Sequence, residues 1–206
     1  MTARVRPCGD GALLVEVDDV EEVVALYDTM AAAPLAGVTD LVPAARTLLV
    51  RFEPPARPET VEAAVRAARP RTGRRDAAGE VTIPVVYDGA DLAEVAALTG
   101  LTELEVISAH TGTPWVVAFC GFAPGFGYLT GGDPRLTVPR RTESRVRVPP
   151  GSVALAAGFS AVYPRESPGG WRLIGHTTLQ IWDITADPPA HLRPGVQVRF
   201  TEATRG

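Results

Sequence analysis

The 206-residue chain contains no lysine; its 20 basic residues are all arginine. That absence removes Schiff-base lysine chemistry and the P-loop lysine together. Cysteine is scarce as well. Cys8 and Cys120 stand far apart, with no CxxC spacing and no histidine cluster nearby, a pattern that fits neither a disulfide framework nor a zinc site. No apolar run reaches the length of a membrane span, and the first residues lack a charged segment followed by an apolar one. The expectation is therefore a cytoplasmic protein with no membrane association and no bound metal. A net charge of −4 argues against non-specific nucleic-acid binding. What is present, 46% hydrophobic and 21% charged residues, is globular composition in a chain long enough to bury a core.

Two stretches of the chain follow different patterns, together an α+β class. In residues 1–75 strand-like and helix-like segments alternate. A strand over Ala12–Val17 follows the Gly9-Asp10-Gly11 turn. Asp19 with Glu22 then forms a capping box that opens a helix with Val20, Val23, Val24, Tyr27 and Met30 on one face. Residues 38–42 and 47–52 can pair as strands, and a second helix starts near Pro58 with Val61, Ala64, Val65 and Ala68 along its buried stripe. This describes a small α+β sandwich. Residues 69–79, charged and without apolar periodicity, read as a solvated hinge.

Residues 80–206 form the second expected domain. After a strand over 81–87, Asp91 with Glu94 and Thr102 with Glu105 are two further capping-box signatures, each opening a short helix. Gly100 and Gly112 stand where helix ends favour a left-handed residue. From Pro114 onward the short apolar runs WVVAFC, SVALAA, TTLQIWDI and VQVRF alternate with Gly/Pro turns, the pattern of an all-β barrel or sandwich.

Chemistry concentrates between His110 and Gly175, where Gly, Pro, Arg and aromatic residues are densest. His110 lies in the last turn of its expected helix, where the helix dipole favours the imidazolium and raises its pKa. It either binds an anion or shuttles a proton at the barrel mouth, or it caps the last carbonyls. The GFAPGFGYL segment is no P-loop and no dinucleotide fingerprint. Gly121, Pro124 and Gly125 suit a tight loop whose N–H groups face an anion, walled by Phe122, Phe126 and Tyr128. The other reading is a barrel corner with its aromatics packed inward. Arg140, Arg141, Arg145 and Arg147 follow. Arg145 and Arg147 share one face of an extended segment, and guanidinium suits a small anionic substrate with a carboxylate or phosphate. Surface ion pairs with Glu143 and Glu166 are the alternative. Tyr163, Glu166 and His176 are candidate acid–base or orienting groups. Cys120 reads as a small buried hydrophobe.

Taken in order, GDGALLVEV near the start, then GF.PGF.YL, PR....R..VP.GSVA, YP..SPGGW and IG.T resemble the family formed by the B subunit of 5-oxoprolinase, also labelled allophanate hydrolase subunit 1 and sporulation-kinase-inhibitor-like. The resemblance spans nearly the whole chain. It implies an N-terminal α+β domain followed by a cyclophilin-like β-barrel. It also implies partners: a homologue of the 5-oxoprolinase C subunit, which forms a complex with the B subunit, and an ATP-using A subunit. Together these open the lactam of 5-oxoproline to glutamate. On that reading the chain is an enzyme subunit inactive alone, it binds no cofactor, and ATP is used by a partner protein. Arg140, Arg145 and His176 would hold the substrate carboxylate or phosphate, the Gly121–Tyr128 loop would shape the pocket, and Tyr163 or Glu166 would assist proton movement. Fused relatives form the carboxyltransferase domain of urea carboxylase, and one relative inhibits a histidine kinase, so both alternatives stay open. The chain departs from the family pattern at Ser144, Phe159 and His176, where proline, glutamine and arginine are usual.

Overall fold

The computed structural model describes residues 3–70 and 78–204, so most of the expected hinge lies outside the described residues. The chain divides into two compact units, Met1–Arg75 and Asp76–Gly206.

In the first unit, β1 (Arg4–Pro7), β2 (Ala12–Glu16), α1 (Val20–Ala32), β3 (Val38–Pro43), β4 (Thr47–Phe52) and α2 (Pro58–Ala67) follow one another. The strands form an antiparallel sheet of order β1-β2-β4-β3. Alternation along β2 and β4 turns Leu13, Val15, Leu48, Val50 and Phe52 to one face. There they meet Val23, Leu26 and Met30 of α1 and Val61 and Val65 of α2 in a single core. The stripe on α1 centres on Leu26, fully buried, rather than on the half-buried Val24, because Val23, Leu26 and Met30 follow the helical period. At its start the Asp19 carboxylate accepts from the Glu22 N–H at 2.9 Å. The Glu22 side chain accepts from Asp18 N–H instead of closing the box on Asp19.

The second unit begins with β5 (Glu80–Val85), α3 (Leu92–Thr99) and α4 (Glu103–Gly112). Then come β6 (Trp115–Cys120), β7 (Gly127–Thr130), β8 (Arg145–Val148), β9 (Ser152–Ala156), β10 (Phe159–Val162), β11 (Ser167–Gly169), β12 (Arg172–His176) and β13 (Gln197–Glu202). Seven strands form one sheet of order β12-β9-β10-β7-β6-β13-β5, in which β13 and β5 run parallel and the other pairs antiparallel. An antiparallel bridge between Val86 and His176 joins its two ends, so the sheet curls into a nearly closed barrel. Its interior is filled by Ile83, Val117, Leu129, Val153, Leu155, Ile174, Val198 and their neighbours. Gly89 permits the closure, because a Cβ there would collide with the backbone of Leu173, Ile174 and Gly175.

Two expectations for this unit need correction. The TTLQIWDI segment is not a strand: Thr177 Oγ1 accepts from Leu179 N–H, a local turn that ends strand pairing at His176. The strand is the preceding Arg172–His176, whose pattern of near-continuous burial hides any alternation. Gly112 closes no helix in the left-handed region; α4 runs through it and ends at Thr113 with φ −123°, whereas Gly100 does end α3, at φ 70°.

Register decides what the barrel presents at one end. Cys120 pairs with Gly127, Val162 with Val153 and Ser152 with His176. The loop 121–126, Tyr163, Gly151–Ser152 and His176–Thr177 therefore lie at the same end of the sheet, with His176 two strands away from Tyr163. A separate two-stranded ribbon, β8 with β11, pairs Val148 with Ser167 and Arg145 with Gly169.

Candidate functional site

The Arg140–Arg147 run does not act as one cluster. Arg147, on the exposed side of the ribbon, pairs with Glu166 at 2.9 Å, the surface alternative raised by the sequence. Arg141 and Arg145 turn to Asp91 instead. The Asp91 side chain is 3% exposed; its Oδ1 accepts from Arg141 Nη1 at 2.9 Å and Arg145 Nη2 at 2.7 Å, and its Oδ2 accepts from Leu173 N–H at 2.7 Å. Burial alone would push this carboxyl up. The Arg145 and Leu173 hydrogen bonds, with the charges of Arg145 and Arg141, outweigh it and hold the pKa below the ordinary carboxylate value. Asp91 is thus no helix cap: it makes no side-chain bond to the α3 backbone, correcting the capping-box expectation. A buried carboxylate takes donors wherever they are strongest, and two guanidiniums outbid the helix N–H groups. Among the four arginines, Arg140 alone makes no hydrogen bond or ion pair among the described residues.

Arg140 stands beside an aromatic wall. Phe119 stacks on Tyr128 at 4.4 Å, and Phe159 and Trp171 meet Tyr128 edge-on at 5.6 and 5.5 Å. Phe126 adds Tyr163 at 5.3 Å and Trp171 at 5.5 Å, and Phe122 extends the wall toward solvent. T-shaped contacts of this kind hold rings rigidly. The guanidinium lies near Gly170: a Cβ built there would stand 3.5 Å from Arg140 Nη2 and 2.8 Å from Ser144 Oγ. Burial pushes the phenols of Tyr128 and Tyr163 up in pKa, and Arg140 opposes the shift at both, as does Arg145 at Tyr163. Tyr163 is 1% exposed, a wall residue more than a free acid. The site therefore combines flat apolar surface with one uncommitted cation.

The GFAPGFGYL loop gives the wall its corner, and three of its N–H groups are taken up within the loop itself. Gly121, Ala123 and Phe126 donate their N–H groups to Phe126, Gly121 and Ala123 carbonyls, at 3.2, 2.7 and 3.0 Å, and Pro124 has none to give. Phe122 sits at φ 67°, 58% exposed, and Gly125 at φ 80° packs against Trp182. Of the expected lining, Phe126 and Tyr128 join the wall, Phe122 rims it, and Gly121, Pro124 and Gly125 shape the turn.

His110 must be withdrawn from substrate contact. It is fully buried, stacked on Phe200 at 4.1 Å, with Nδ1 bonded to the Tyr87 hydroxyl at 2.7 Å and Nε2 to Ser160 Oγ at 2.9 Å. Burial lowers its pKa to about 3, opposite to the helix-dipole expectation, because removing an imidazolium from water outweighs a terminal dipole. His176 lies apart too. Its Nδ1 meets Asp88 Oδ1 at 2.8 Å, and it faces a cleft of about 490 Å³ lined by Val86, Thr178 and Thr204, with none of the arginines or ring residues. No hydrogen bond joins Tyr163, Glu166 and His176 to one another. Cys120 is half-buried, its Sγ–H directed to the Leu192 carbonyl at 3.2 Å. Among the described residues no His/Cys/Asp/Glu cluster could hold a metal ion, and no helix is long and apolar enough to cross a membrane. The sequence reading missed the roles of Asp91 and Asp88, whose partners lie 54 and 88 residues away and leave no local signature.

A nearly closed barrel flanked by an arginine ribbon and preceded in sequence by a four-stranded α+β unit defines a class. The chain belongs to the family described as carboxyltransferase domain, subdomain C and D, whose model matches residues 3–192. Among curated proteins it is similar to the 5-oxoprolinase B subunit of Escherichia coli O157:H7, 49% identical over 129 residues, covering 61% of this chain and 59% of that protein. It is also similar to the 5-oxoprolinase B subunit of Bacillus subtilis (strain 168), 45% identical over 123 residues, 58% of this chain and 51% of that protein. The match thus spans between half and two thirds of the length of these relatives. Among solved structures, a conserved uncharacterized protein from Pyrococcus horikoshii is 32% identical with a TM-score of 0.59, covering 98% of both chains. The Kluyveromyces lactis urea carboxylase is 16% identical with a TM-score of 0.76, covering 98% of this chain and 22% of that one, a likeness of fold alone.

Proposed function

We propose that this chain is the B component of an ATP-dependent 5-oxoprolinase, working in a cytoplasmic complex with homologues of the A and C components to open 5-oxoproline to glutamate. The observation that carries the reading is Arg140, a guanidinium without a counter-ion, set beside a rigid ring surface. A small, flat, anionic lactam matches both features. Its carboxylate would take the fork of Arg140, its ring would lie against Tyr128 and Trp171, and Arg145 would add positive potential from behind Tyr163. The rings exclude water from an activated amide. ATP is used by the A component, and no cofactor is assigned to this chain.

The test is reconstitution. Purified with its A and C partners, the chain should release glutamate from 5-oxoproline only when ATP is supplied. Arg140→Ala should lower kcat/KM by about 10- to 100-fold, the range for losing one hydrogen bond to a charged group, and Arg140→Lys should recover part of it. A complete complex that forms no glutamate rejects the proposal; turnover of urea with a biotin-dependent partner instead would support the carboxyltransferase alternative.

A further inference from the structure

The charged cluster behind Arg140 is larger than one ion pair. One turn beyond Asp91, Glu94 meets Arg172 Nη1 at 2.5 Å and Arg141 Nη1 at 3.8 Å. Arg172, only 8% exposed, also donates Nε–H to the Pro139 carbonyl at 2.9 Å. Arg141 N–H reaches the Gly170 carbonyl at 2.8 Å. The segment carrying Arg140 is therefore fastened on both sides: at Pro139 through Arg172, and at Arg141 and Arg145 through Asp91. Arg140 itself is left unfastened between them.

Two features distinguish this cluster from a bridge that serves stability alone. It sets three guanidiniums against two carboxylates, so one positive charge stays uncompensated beside Arg140. Two of its N–H donors, Arg141 Nε and Arg145 Nη1, are buried without an acceptor. Buried donors left unpaired are unfavourable, and apolar side chains of similar volume would hold the fold as well or better. An arrangement that keeps excess positive charge and unmet donors at the back of an open cation favours an anion in front of it.

We propose that Asp91 is a positioning residue for the anion site. It acts through Arg141 and Arg145, and it holds the Arg140-bearing segment against the barrel so that Arg140 faces the aromatic wall. The inference rests on the function proposed above and deepens it: the substrate anion is held by Arg140, and the orientation of Arg140 is set from a helix some 50 residues earlier in the chain.

Asp91→Asn tests it, since the amide keeps the size of the side chain and its capacity to accept from Leu173 N–H while removing the charge. In the complete three-component complex kcat should fall by about 100-fold, the effect expected of a misplaced binding group. KM should rise as well, because Arg140 is no longer held where it grips the substrate anion. Independently of turnover, amide hydrogen exchange over residues 140–147 should accelerate at least about tenfold, matching a loss of local closure, and phenylglyoxal should label Arg141 and Arg145 faster than in the parent. Glu62→Gln, which breaks a surface pair with Arg66 in the first unit, should change none of these. A folded Asp91→Asn protein with kcat within twofold of the parent, or with unaltered exchange and labelling, overturns the proposal. Should Asp91→Asn fail to fold, Arg141→Gln leaves Asp91 bonded to Arg145 and Leu173, and an unchanged kcat there overturns it equally. If the parent complex forms no glutamate, the enzymatic reading fails, whereas exchange and labelling still decide whether Asp91 positions the segment.

Discussion

A histidine with no water around it behaves as a polar core residue, and His110 is that case. Its ring bonds to Tyr87 and Ser160 while neutral, and its pKa is pushed down to about 3. In the unfolded chain the same group titrates near 6.5, so between these values the unfolded state binds a proton that the folded state refuses. The stability due to this group is complete above pH 6.5 and is lost as pH falls toward 3, by up to about 1.4 kcal/mol per pH unit. Urea midpoints of the parent should therefore fall between pH 6.5 and 4.5. A His110→Gln protein, less stable at pH 7, should show little slope in that window; an equal slope in both would contradict this account. The position of His110 at a helix end was legible in the sequence. Its protonation state was not, because Ser160 and Phe200 reach it from strands 50 and 90 residues further on.

Short helices show how one local signature can serve two purposes. Thr102 with Glu105 makes a complete capping box, with Thr102 Oγ1 accepting from Glu105 N–H and Glu105 accepting from Thr102 N–H. Asp91 with Glu94 has the same spacing, yet both carboxylates leave the helix for arginines of later strands. The energetic difference is measurable. Thr102→Ala should cost about 1 kcal/mol in urea unfolding, the usual value of an exposed cap. Asp91→Ala should cost about 3–5 kcal/mol, because it strands two partly buried guanidiniums; similar losses for the two would mean that Asp91 acts only as a cap after all. The stabilisation from Asp91 should be complete above the ordinary carboxylate pKa and be lost as pH falls from there through its lowered pKa. Periodicity and turn residues made most helices and strands readable. They failed at Arg172–His176 and at residues 177–184, where burial on both faces and a side-chain turn erase the alternation that marks a strand.

For the second unit as a whole, the barrel depends on an interior strand that is last in the chain order. Strand β13 lies between β6 and β5, contributes Val198 and Phe200 to the core, and is the sheet neighbour of β5. Ending the chain before Gln197 should abolish the cooperative thermal transition of this unit, followed by near-ultraviolet circular dichroism from Trp115 and Trp171; a retained transition would show that the barrel closes without β13. A barrel was readable from short strands at regular spacing, but the parallel partnership of β5 with β13 was not, since it joins residues more than a hundred positions apart. The candidate site was legible to the same degree: its arginines and rings stood out by composition, and only the tertiary structure sorted the free cation from the paired ones.

The placement of β13 carries a consequence for how the protein is made. On the ribosome, β5 emerges and has no neighbouring strand within its sheet until β13, more than a hundred residues later, has been synthesised. Its apolar Ile83 and Val85 stay without their final packing throughout that interval. Translation speed and chaperone capture during it should therefore affect the yield of folded protein.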